Sequence, residues 1–196
     1  MRLQLESALS SIEGLELLER LWTKHWPKGI PQSIDYPNIS LYEMLKRSAD
    51  KSPSSTAIIF RTNQITYEKL DDAICRFGTA LQGLGIRKGD RVTLYLPNTP
   101  QFVIAYFAVL RLGAIVVTCS PLYKDRELAR ILKDSESRVL VYLDQLEPYV
   151  QLIRQRIGLD YFIITRRDET DIEETVGTKT RIGVYQSSRM DMKQLM

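Results

Sequence analysis

Short apolar runs rich in β-branched residues recur through the middle of this chain, and a helix-periodic stretch fills each gap between them. The runs are 56–60 (TAIIF), 91–96 (RVTLYL), 114–119 (AIVVTC), 138–143 (RVLVYL) and 161–165 (YFIIT). Strands that alternate with helices of roughly 10–15 residues form βαβ units, whose strands lie parallel in one sheet. The expected fold is therefore α/β with a mostly parallel sheet. After the first run, 61–64 reads as a polar turn. Thr66 then caps a helix whose apolar residues Tyr67, Leu70, Ile74, Phe77, Leu81 and Leu84 step by three and four. Gly83 and Gly85 end it. The next helix, 102–112, is opened by a cap within 98–101 and is apolar on nearly every side, so it belongs between layers. Residues 125–136 and 145–157 supply the remaining crossovers.

Two flanking segments differ in texture from this core. Residues 1–39 form a lead-in, in which Leu9, Ile12, Leu15, Leu17, Leu18, Leu21 and Trp22 predict an amphipathic helix that is expected to pack on its own protein, a membrane-surface anchor and a partner-docking face being the alternatives. Trp26 lies one turn beyond Trp22, and Pro27, Gly29 and Pro31 end that helix. Regular structure begins at Ser40, which with Glu43 spells a capping box for a helix through Leu41, Met44, Leu45 and Ala49. The α/β body is expected over 40–165. Residues 166–196 read as a polar tail or incomplete segment, and 177–196 show neither helix nor strand period.

Composition narrows the function classes. The 196 residues are 44 % hydrophobic and 26 % charged, ordinary for a soluble globular domain. A formal charge of +3, with acids and bases interleaved, gives no basic stripe for nucleic acid. The longest apolar run, 102–110, is about half of the ~20 residues that a membrane-spanning helix needs. Cys75 and Cys119 are far apart and read as free thiols rather than a disulfide. Without an apolar segment of signal-peptide type near Met1, the expected compartment is the cytoplasm.

The residues offer no complete catalytic constellation. Gly83, Gly85 and Gly89 imitate a dinucleotide fingerprint, but they end a helix and precede a strand, the reverse of what phosphate binding at a helix N-terminus requires. Gly177-Thr178-Lys179-Thr180 has the letters of a P-loop at the wrong spacing. The single histidine, His25, lies in the lead-in, which removes multi-histidine metal sites. Adjacent acids Asp71-Asp72 and Glu173-Glu174 point to different sides of a helix and read as solvated charge. No catalytic or metal-ligating residue is assigned, and cofactor-binding residues are left unknown. By the general rule for α/β sheets, the loops to search are those after 91–96 and 114–119, at the carboxyl ends of strands.

A series of short motifs in fixed order carries a resemblance. Residues 65–70 (ITYEKL), 85–92 (GIRKGDRV), 96–98 (LPN), 112–117 (LGAIVV) and 121–123 (PLY), followed by Glu127-Leu128, resemble the opening of the AMP-forming acyl-CoA synthetases. Residues 27–45 (PKGIPQSIDYPNISLYEML) look like the lead-in of the fatty-acid–CoA ligases of that superfamily. The resemblance implies the N-terminal portion of an adenylate-forming ligase of the medium- or long-chain fatty-acid type. In the full-length family, ATP, Mg²⁺ and coenzyme A serve to convert a fatty acid or other carboxylate into its acyl-adenylate and then its thioester. The family's Ser/Thr/Gly-rich phosphate loop, expected downstream of 161–165, has no counterpart here, nor do its adenine and ribose motifs or its C-terminal lysine. No cofactor is expected for the fragment by itself, and no activity. Within the matching motifs, Tyr67 is expected to pack in the core, Asp90 to shape a turn and Asn98 to cap a helix. Thr118-Cys119-Ser120 departs from the family, which commonly carries proline and asparagine there. A sheet cut partway exposes an edge strand, so self-association is expected. The alternatives are a non-catalytic binding or scaffold module that kept the fold, and a truncated inactive gene product.

Overall fold

The computed structural model describes residues 25–31, 33–166 and 183–186. The expected lead-in helix through Trp22 and most of the charged stretch beyond Thr165 lie outside the described residues. The chain divides into two units, one up to Asn38 and the other from Ile39 onward. In the first, a turn closes with Ile30 N–H on the Pro27 carbonyl (3.3 Å), and Trp26 Nε1 donates to the Ile30 carbonyl (3.1 Å).

The second unit opens with helix α1 (Leu41–Lys51), where Ser40 Oγ accepts from Glu43 N–H at 3.1 Å. Glu43 pairs with Arg47 at 2.8 Å. Strand β1 (Thr56–Phe60) then meets β2 (Asn63–Thr66) in an antiparallel hairpin, turning at Arg61 with φ 55°. Residues 61–64, expected as a turn alone, thus run into a strand at Asn63. Strand β2 was not expected because NQIT has one apolar residue, the buried Ile65, and so no visible period. Thr66 caps helix α2 (Tyr67–Gly83), accepting from Lys69 N–H at 3.3 Å. Gly85, at φ 82°, turns the chain toward β3 (Arg91–Tyr95).

The elements that follow alternate as expected: α3 (Pro100–Arg111), β4 (Ile115–Thr118), α4 (Asp125–Asp134), β5 (Val139–Leu143), a 3-10 turn Asp144–Leu146, α5 (Glu147–Arg154) and β6 (Tyr161–Thr165). The sheet order is β4-β3-β5-β6, all parallel, with β7 (Gly183–Gln186) added antiparallel beside β6. Strand β7 corrects the reading that 177–196 holds no strand. Its pairing is drawn from the neighbouring edge, and its own sequence has no alternation to show.

Side chains alternate across the strands and build a core on each face. Val92, Leu94, Val139, Val141 and Leu143 join Leu70, Ile74, Leu81, Ile104 and Val109 on one face. Tyr95, Leu140, Tyr142 and Phe162 meet Leu128, Leu132, Val150 and Ile153 on the other. Helices α1, α2 and α3 thus serve one face, and α4 and α5 the other. Helix α3 packs on α1 and α2 and on strands β3 and β4, which accounts for its apolar residues on nearly all sides. Gly78 permits the close approach of α2 to α3: a Cβ there would lie 3.3 Å from Arg111 Nη1 and 3.6 Å from the Ala108 carbonyl.

Candidate functional site

The connection from β3 to β4 runs one way along the sheet, and those to β5 and β6 run the other. Such a reversal leaves a crevice between the carboxyl ends of two adjacent strands, here β3 and β5. A cavity of about 320 Å³ occupies this place. Pro97, Asn98 and Thr99 reach it from the end of β3, Pro121 from beyond β4, and Leu143, Gln145 and Leu146 from the end of β5. Phe60 of the hairpin completes its wall. Every lining side chain is neutral.

Local structure at the crevice differs from the expectation in one respect. Asn98 was expected to cap the helix, but the capping position belongs to Thr99, and Asn98 is exposed on the cavity wall. Pro100 starts α3, with a fixed φ suited to the first helical position and no N–H to satisfy. Thr99 accepts no cap bond, unlike Ser40 and Thr66. Its hydroxyl is buried with no hydrogen-bond partner, and the residue is only 6 % exposed.

Polar groups on the other face of the sheet are tied down. The Tyr95 hydroxyl donates to the Tyr123 carbonyl, and burial pushes its pKa up to about 12. The Tyr142 hydroxyl donates to Glu147, while Arg154 Nη2 reaches both groups at 3.0 Å and stacks over Phe162. Burial also raises the Cys119 thiol to about 11, which makes it a poor nucleophile. Cys75 is likewise free and lies 3.5 Å from the Tyr42 hydroxyl.

The charged residues singled out from the sequence lie elsewhere. Asp90 sits at the amino end of β3, where its carboxylate accepts from Arg87 N–H (2.7 Å) and from Arg138 Nη1 (2.7 Å). The Arg87 amide, and then the Arg138 guanidinium, hold its pKa below the ordinary 3.8. Tyr67 stands half-buried at the start of α2. Its expected place in the core is therefore only partly taken up. Gly85 and Gly89 have φ of 82° and 87° and shape the turn into β3, at the opposite end of the strand from the crevice. Asp71 accepts from the Tyr42 hydroxyl (3.1 Å) and pairs with Lys46 (3.2 Å), whereas Asp72 pairs with Arg76 (2.9 Å). Sequence reasoning pointed to the loops after β3 and β4, which supply Pro97, Asn98, Thr99 and Pro121, but not to the loop after β5, so Gln145 and Leu146 were missed; lone neutral or apolar residues there carry no spacing pattern. Among the described residues no group of three or more His, Cys, Asp or Glu could hold a metal ion, and no helix is long and apolar enough to cross a membrane.

An α/β layer with a switch-point crevice is a ligand-binding architecture shared by many enzymes. The comparison with known proteins is more specific. The chain belongs to the AMP-binding enzyme family, which matches residues 45–189. It is 36 % identical over 147 residues to a long-chain-fatty-acid–CoA ligase of Bacillus subtilis, covering 75 % of this chain and 26 % of that protein. Against the ligase of the same description from Yersinia pestis the identity is 36 % over 151 residues, covering 76 % and 27 %. Among solved structures, a long-chain-fatty-acid-CoA ligase from Archaeoglobus fulgidus aligns with a TM-score of 0.67 and 27 % identity, over 72 % of this chain and 30 % of that one. A fatty acyl CoA synthetase from Mycobacterium tuberculosis gives 0.61 and 29 %, over 64 % and 26 %. The chain therefore spans about a quarter of the length of these relatives and matches their N-terminal portion.

Proposed function

We propose that this chain is the N-terminal portion of an AMP-forming fatty-acid–CoA ligase and does not adenylate a fatty acid by itself. The observation that carries the reading is the identity to long-chain-fatty-acid–CoA ligases over only about a quarter of their length. In the whole enzyme a fatty-acid carboxylate oxygen attacks the α-phosphorus of ATP, and pyrophosphate leaves. The thiol of coenzyme A then attacks the acyl carbon and AMP leaves. Residues 40–165 supply the α/β body, 1–39 a lead-in and 166–196 a polar tail or incomplete segment. The two free thiols suit a reducing, cytoplasmic setting.

The switch-point crevice does not fit Mg²⁺ and a triphosphate. None of its lining residues is a carboxylate that could bind the metal or a cation that could offset phosphate charge. Binding of both falls to parts of the longer enzyme. ATP–pyrophosphate exchange with the chain, Mg²⁺ and a long-chain fatty acid is the test of inactivity. Exchange at background is expected, and exchange above it overturns the proposal.

The chain also self-associates through the open edge of the sheet. Strand β4 pairs only with β3 among the described residues, carries no charge, and leaves Ile115 49 % exposed. Sedimentation should show concentration-dependent association that Val117→Lys reduces. A monodisperse monomer at all concentrations contradicts it.

A further inference from the structure

Helix α3 is apolar over most of its length, yet its first turn holds a carboxamide, Gln101, that is only 7 % exposed. A buried amide is costly unless its hydrogen bonds are made. The Gln101 Nε2 donates to the backbone carbonyl of Arg166, 3.2 Å away and 65 residues along the chain. Arg166 is the first residue beyond β6, at the carboxyl end of the sheet. In the same turn of α3, Thr99 lines the crevice and its carbonyl receives Phe102 N–H at 3.0 Å.

We propose that Gln101 is a positioning residue, which fixes the point where the chain leaves β6 to the helical turn that walls the switch-point crevice. The donor matters for the Arg166 carbonyl, which lies past the last parallel pair of the ladder, Leu143 with Thr165. The bond ties the exit of β6 to α3, which lies between β3 and β4 in chain order and packs on one face of the sheet. Its effect is local order at the functional end of the sheet, and this role stands whether or not the ligase reading does.

Hydrogen exchange of the full chain tests this, comparing the wild type with Gln101→Met and Gln101→Asn. Methionine keeps the length and removes the donor; asparagine keeps the amide and falls short of the carbonyl. Amides of 163–166 should exchange about fivefold faster in both variants, the change that loss of one neutral hydrogen bond brings. Amides of Val92, Leu94, Val139 and Val141 should keep their wild-type rates. Unchanged exchange at 163–166 would overturn the assignment. So would equal acceleration in all strands, or failure of both variants to fold, since either marks Gln101 as general support for the core.

Discussion

The two ends of the parallel sheet are built from opposite chemistry. At the amino ends Arg138 gathers three strands: it contacts Asp160 beside β6 at 2.6 Å, Asp90 beside β3 at 2.7 Å, and the Gly85 carbonyl at 3.1 Å. Arg91 adds Glu136 at 2.9 Å and the Ser135 carbonyl at 2.9 Å. At the carboxyl ends of β3 and β5, the cavity lining is neutral and the Thr99 hydroxyl is unpartnered. Charge in this chain secures the fold at one end and is withheld from the crevice at the other. An α/β sheet binds ligands at its carboxyl end, and the crevice found there is lined by neutral side chains alone.

The largest effect expected from breaking this contrast comes from Arg138→Ala. It strands two carboxylates and a carbonyl and should cost about 2 kcal/mol in urea unfolding, after allowing for partial exposure of the pair. A cost below about 0.5 kcal/mol would reduce the amino-end cluster to an ordinary surface pair. The two threonine caps sharpen the contrast. Thr66→Ala removes a cap bond and should destabilise by about 1 kcal/mol. Thr99→Val removes a buried hydroxyl that bonds to nothing, and should be neutral or stabilise by up to about 1 kcal/mol. Equal losses at the two sites would show that Thr99 has a partner after all.

The smallest effect is in the pH dependence. Because the folded-state pKa of Asp90 is depressed, its stabilisation is fully present above the unfolded value and is lost as pH falls through the folded value. The stability gap between wild type and Asp90→Asn should therefore be constant at neutral pH and shrink below about pH 4. A gap that does not shrink at all as pH falls below about 4 would mean that the Asp90 carboxylate is not the group responsible.

Much of the fold was legible in the sequence because most strands, buried or half-buried, are written as short apolar runs. Residues 56–60 and 161–165 match β1 and β6 residue for residue, and 91–96 overshoots β3 by one. The strands that escaped, NQIT and GVYQ, owe their form to pairing with a partner, and their own patterns are silent. Helix 145–157 was read as continuous, whereas the structure breaks it into a 3-10 turn and α5. Pro148 sits in the first turn of α5, where its missing N–H costs nothing. Of the crevice, only the loops after β3 and β4 were legible, and the β5 side with Gln145 and Leu146 was not. That Asn98 would yield the cap to Thr99, and that Gln101 would reach Arg166, depend on contacts between elements far apart in the chain.

The central claim is that the switch-point crevice, as lined by the described residues, lacks the charge needed to hold Mg²⁺ and a nucleoside triphosphate. Titration calorimetry of ATP with excess Mg²⁺ into the full chain tests it most directly. The account predicts no saturable heat, corresponding to a Kd weaker than about 1 mM. Stoichiometric binding with a Kd of about 10 μM or tighter would contradict it, and would place a triphosphate site on this chain that the neutral crevice does not supply.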